Sequence, residues 1–81
     1  DIFDYGYHDT SLDTAELASS EMKIVEGMSN KNRKVYELSR FEEKSYNEIV
    51  EILNMSYRSV ESRLYRARNE VRQTLRKVYG M

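Results

Sequence analysis

Eighty-one residues, 40% apolar and 33% charged, fit one small globular domain rather than a disordered chain. The absence of cysteine excludes a disulfide framework and thiolate metal sites, and is consistent with a reducing compartment. A net charge of −1 would argue against nucleic acid if taken alone, but residues 1–28 hold seven acids against one base while residues 29–81 hold twelve bases against seven acids.

With no proline and only Gly6, Gly27 and Gly80, little punctuates the chain into strands, and the expected fold is all-α. No apolar run approaches a membrane span and the start is not a signal peptide, so a cytoplasmic location is expected. The chain opens on Asp1 rather than Met, which predicts a piece of a longer polypeptide. No cysteine, one histidine and no glycine-rich phosphate loop leave little from which to build an enzyme. No cofactor is expected. His8 has only Asp4 and Asp9 beside it, short of the three or four ligands that zinc requires.

Residues 1–12 are acidic and aromatic, lack helical periodicity, and read as a linker or arm, with the domain proper over 13–81. A frayed terminus is an equal reading. A first helix is expected from Asp13 or Thr14 to Gly27, with Leu12, Ala15, Ala18, Met22 and Val25 as its apolar stripe and Leu17, Ile24 and Met28 beside it. Gly27 stands at a natural C-cap position. A second helix spans 30–41, started by Ser29 or Asn30, with Val35, Leu38 and Phe41 on one face and Tyr36 close by. Arg33, Lys34 and Arg40 decorate the remainder, and solvation or phosphate contact explains them equally.

A third, short helix opens at Ser45. Ser45 and Glu48 have capping-box spacing, in which each side chain satisfies an orphan backbone N–H of the other. Ile49, Val50 and Leu53 form its apolar face. Asn54, tolerant of the left-handed conformation, ends it, and Met55 plugs the turn. Ser56 is the next N-cap. The last helix runs from Tyr57 to about Val78 on a stripe of Val60, Leu64, Ala67, Val71, Leu75 and Val78. Its C-terminal half outruns what so small a core covers, leaving apolar surface for the first helix, a partner or a neighbouring domain.

A short helix, a tight turn and an arginine-bearing helix suggest a DNA-binding helix-turn-helix. With Val60, Leu64 and Ala67 inward, the opposite face presents Arg58, Glu61, Ser62, Tyr65 and Arg66. These suit base edges: Arg offers a fork to guanine, Ser donates or accepts, Glu accepts from the cytosine amino group, and Tyr offers a ring to the thymine methyl. Ser56, Tyr57 and Ser59 at the helix start suit phosphates. Arg63 and Arg68 flank the inward stripe and Arg72 lies further along the helix, and all three suit salt bridges or backbone contacts rather than base reading.

The segment from Met28 to Leu75 resembles region four, the C-terminal domain of bacterial RNA polymerase sigma factors of the extracytoplasmic-function type. Ser45-Tyr46-Asn47-Glu48-Ile49-Val50 is similar to that family's Leu-Ser-Tyr-x-Glu-Ile-Ala helix. Asn54-Met55-Ser56 stands at its Gly-x-Ser turn, and Ser59-Val60-Glu61-Ser62-Arg63-Leu64-Tyr65-Arg66-Ala67-Arg68 follows its last helix. Departures are Val50 for a small residue, Asn54 for Gly, Glu43-Lys44 for a common Gly-Leu, Glu61 where a base is frequent, and Ser39 where an Arg often binds phosphate.

The resemblance implies a small four-helix domain, a winged-helix-like three-helix core plus an N-terminal helix. It implies a non-enzymatic role: binding the promoter −35 element, docking on the flap of the polymerase β subunit, and control by an anti-sigma factor. Phosphate contacts would come from Ser45, Tyr46, Ser56, Tyr57, Ser59, Arg33 and Arg40, and the arm at 1–12 would resemble the linker to region two. The DNA-binding output domain of a response regulator, which predicts palindromic sites and dimers, shares the outline and is the alternative. A module that binds only other proteins is the third reading.

Overall fold

A computed structural model of the chain describes residues 14–80, which form four helices: α1 (Thr14–Glu26), α2 (Asn30–Arg40), α3 (Tyr46–Leu53) and α4 (Tyr57–Tyr79). The described residues contain no strand, so the three-helix core of α2, α3 and α4 carries no wing. The arm at 1–12 and His8 lie outside the described residues.

The longest helix organises the rest. α4 packs on each of the other three helices, whereas α1 and α3 do not touch. Val60, Leu64, Ala67, Val71 and Leu75 recur at spacings of three and four and are all essentially inaccessible. Against them lie Val25 and Met28 of the α1 end, Val35 and Tyr36 of α2, and Ile49 of α3. Each valine, leucine, isoleucine or methionine among them contributes about 1.5–3 kcal/mol of transfer free energy when taken out of water. The expected continuation of the stripe to Val78 is corrected: Val78 is 65% exposed. Tyr79 packs against the core instead, and its hydroxyl hydrogen-bonds Ser20 Oγ on α1.

α1 is rotated from the expected phase. Ala15, Ala18 and Met22 face solvent, while Leu17, Glu21, Val25 and Met28 face inward. The physical reason is Glu21, which is 2% exposed. Its Oε2 accepts from the Tyr36 hydroxyl and, at 3.0 Å, from Arg40 Nε, so a carboxylate occupies a core position with its hydrogen bonds met. With α1 so placed, it covers the C-terminal half of α4, and most of the surplus apolar surface expected there is buried within the domain.

Helix ends follow local chemistry. The capping box at Ser45 is complete: Ser45 Oγ accepts from Glu48 N–H, and the Glu48 carboxylate accepts from Ser45 N–H at 2.8 Å. Asn54 takes the left-handed conformation at φ 54°, and Met55 N–H returns to the Val50 carbonyl. Ser56 Oγ accepts from Ser59 N–H at the start of α4, and Gly80, at φ 72°, closes that helix. Gly27 also follows the end of α1, but not as a left-handed cap. Its N–H bonds the Ile24 carbonyl, three residues back, a tightened last turn. Phe41 is the C-cap of α2 rather than part of its buried face. It is 41% exposed and meets Tyr36 edge-on with ring centroids 6.0 Å apart.

Candidate nucleic-acid interface

α3 and the first half of α4, joined by 54–56, form the helix-turn-helix. The turn is held by the Asn54 cap and the Ser56 N-cap, so the start of α4 is fixed relative to α3. Tyr46 opens α3 and Tyr57 opens α4; their rings lie 5.4 Å apart, tilted by 50°. The two helix starts therefore stand side by side.

Burying Val60, Leu64 and Ala67 turns the opposite face of α4 outward. Arg58, Glu61, Ser62, Tyr65 and Arg66 are all exposed, Tyr65 to 71%. They divide between two shallow depressions. Ser56, Arg58, Ser59, Ser62, Arg63 and Arg66 line one, a strongly basic hollow edged by hydroxyls. Glu61 and Tyr65 line the other, together with Tyr46, Arg68, Asn69 and Arg72. The outward face thus offers one flank with cationic forks and hydroxyl groups, and another where a carboxylate and aromatic rings lie among two further arginines. Such a surface can recognise a mixed pattern of donors, acceptors and methyl groups, as in a major groove.

The remaining candidates separate. Ser45 and Ser56 are exposed N-caps whose hydroxyl oxygens accept backbone N–H groups. Arg33 pairs with Glu37 one helical turn on, at 3.2 Å. Arg40 pairs with the buried Glu21 and lies at the α1–α2 junction. Arg63 donates from Nη1 to Asn32 Oδ1 at 3.0 Å, a bond across α2 and α4. Asn32 had no signal in the sequence, because 31 residues separate the partners and a polar residue in the first turn of a helix is ordinary. The Glu48 carboxyl is held below the usual carboxylate range by the Ser45 backbone N–H, then by the Ser45 hydroxyl. Among the described residues, no group of histidine, cysteine, aspartate or glutamate side chains could hold a metal ion.

A family model described as "Sigma-70, region 4" matches residues 21–71. The chain belongs to the sigma-70 region 4 family. No curated protein and no solved structure matches it. The matched segment runs from Glu21, midway along α1, to Val71 on α4, so it contains the helix-turn-helix, the basic hollow and all of the second depression's lining but Arg72. Region 4 is a non-enzymatic DNA-binding domain of sigma factors that binds promoter DNA at the −35 element and core RNA polymerase. The match favours the sigma reading over the response-regulator output domain. No described helix is long and apolar enough to cross a membrane.

Proposed function

We propose that this region-4 domain belongs to a sigma factor of the extracytoplasmic-function type and acts in the cytoplasm. It lays α4 in the major groove of the −35 element. Arg58, Glu61, Ser62, Tyr65 and Arg66 read base edges there. Ser45, Tyr46, Ser56, Tyr57 and Ser59 hold phosphates at the two helix starts. Arg33 and Arg40 contact the backbone as lesser phosphate ligands, since Glu37 and Glu21 already pair with them. The observation that carries this reading is the exposure of all five base-reading candidates on one face of a helix whose other face is fully buried.

In the same proposal, a surface away from the DNA docks on the flap of the polymerase β subunit, and an anti-sigma factor covers the domain when transcription is to be withheld. The family match supports core polymerase as a protein partner of this domain.

Transcription by core polymerase with the factor carrying Arg66→Ala tests the reading. Transcripts from −35-dependent promoters should fall selectively, because an Arg–guanine fork contributes about 1–3 kcal/mol of discrimination. An unchanged transcript profile would sink the assignment of Arg66.

A further inference from the structure

Arg33, Arg40 and Arg63 each make a side-chain bond across or along the helices, and they differ in what they bond to. Arg33 and Arg40 each face a carboxylate, that of Glu37 and that of Glu21. Arg63 faces a neutral amide: its Nη1 donates to Asn32 Oδ1, and it makes no ion pair among the described residues. An amide acceptor orients a guanidinium without cancelling its charge. Arg63 is also half-buried, so its position is restricted, and it lines the basic hollow with Ser56, Arg58, Ser59, Ser62 and Arg66.

We infer that Arg63 is a DNA-phosphate ligand pre-oriented by Asn32, and that Asn32 is its positioning residue. This rests on the DNA-binding reading above and revises how that reading distributes its cations. A guanidinium carries five N–H donors in a fixed fork, and the bond to Asn32 uses one of them. The others remain for a phosphate at the rim of the groove that α4 enters. Holding the fork in place beforehand reduces the side-chain entropy lost on binding. Arg33 and Arg40, paired with carboxylates, contribute less net positive charge at the surface than their number suggests.

The test is the salt dependence of binding between the full chain and a mixed-sequence B-form duplex, followed by fluorescence anisotropy. The logarithm of affinity falls with the logarithm of salt concentration by about 0.9 per phosphate neutralised. Arg63→Ala should reduce the steepness of that line by about 0.9, whatever the duplex sequence. Arg63→Lys should restore most of the steepness. Asn32→Asp keeps an acceptor for Arg63 but supplies the missing negative charge, and it should flatten the line as Arg63→Ala does. Asn32→Ala should weaken binding while leaving the slope near that of the wild type. If Arg63→Ala does not fold, Asn32→Asp carries the test. Slopes for Arg63→Ala and Asn32→Asp equal to the wild-type slope would overturn the inference and leave the base readers untouched. A wild-type chain that binds no duplex even at low salt would overturn the DNA reading itself.

Discussion

The Tyr36 hydroxyl donates to Glu21 Oε2 across the α1–α2 interface, and both side chains are almost wholly inaccessible. Arg40 Nε donates to the same oxygen. A buried carboxylate is tolerable only with such partners, so removing either should destabilise the domain more than its contact area suggests. Tyr36→Phe deletes one donor and should cost about 1–3 kcal/mol. Arg40→Ala leaves the carboxylate with the phenol alone and should cost about 3 kcal/mol. In a domain of this size each kcal/mol lowers the melting temperature by roughly 4–8 °C, which thermal denaturation followed by circular dichroism resolves. Melting temperatures unchanged by both substitutions would show that the network is not stabilising.

The same contact sets the behaviour in alkali. Burial pushes the Tyr36 hydroxyl well above the ordinary tyrosine range, and its bond to Glu21 and that residue's charge push the same way, against a smaller opposing pull from Arg40. The folded state thus disfavours the phenolate relative to the unfolded state. The resulting stability is fully present below the unfolded value of about 10 and is lost as pH rises beyond it. Denaturation midpoints measured across that range should fall as tyrosines ionise, and phenolate absorbance should show one tyrosine that titrates only on unfolding. The Tyr36→Phe protein should lack this late-titrating tyrosine.

The capping box gives the acid-side counterpart. Because the Ser45 N–H and hydroxyl hold the Glu48 carboxyl low, its contribution is present above the ordinary glutamate range and lost as pH falls through its depressed value. Ser45→Ala should move the Glu48 carboxyl upward, read by carbon-detected nuclear magnetic resonance titration of that side chain. The Ser45 backbone N–H survives this substitution, so a Glu48 titration that Ser45→Ala leaves in place would show that the hydroxyl adds nothing to the hold of the backbone N–H.

Backbone strain lies at Glu43, whose φ of 55° places a long side chain in the left-handed region. That residue closes the connector in which Lys44 N–H bonds the Leu38 carbonyl, and a glycine there would carry no such cost. Glu43→Gly should therefore stabilise the domain by about 1 kcal/mol, whereas Glu43→Ala should not. Urea denaturation compares the three proteins, and a less stable glycine variant would mean that chain entropy outweighs the strain.

What the sequence discloses and what it hides follow from the range of the interactions. Periodicity places Val60, Leu64, Ala67, Val71 and Leu75 inward, because α4 is long and amphipathic. Spacing places the Ser45–Glu48 box and the Asn54 cap, because these act within a few residues. The phase of α1 is hidden, since an apolar count favours Ala15, Ala18 and Met22 over a face containing Glu21. Only Tyr36 and Arg40, fifteen and nineteen residues away, make that carboxylate an inward residue. Val78 sits one turn beyond Leu75 but finds no partner there, while Tyr79 finds Ser20 on α1. The exposed readers on α4 are legible by subtraction from the buried stripe. The Asn32–Arg63 bond is not, because nothing local in either segment announces it.

Glu61 is the member of the recognition face whose charge opposes DNA. It is exposed, makes no ion pair among the described residues, and lines the depression that Tyr46, Tyr65, Arg68 and Arg72 share rather than the hollow of Arg58, Arg63 and Arg66. In that setting a carboxylate either accepts from the cytosine amino group or raises the energy of any nearby phosphate. Glu61→Gln separates the two. A base-reading Glu61 should give, on substitution, a change of preferred base at one position from cytosine towards adenine, worth about 1–3 kcal/mol at that position. A purely repulsive Glu61 should give tighter binding to every sequence with no change of preference. Selection of bound sequences from a randomised duplex pool, with wild-type and substituted protein at equal salt, reads both quantities. We expect the change of preference, because Arg58, Ser62 and Arg66, on the other flank of the same face, already supply the attraction that brings Glu61 to the base edge.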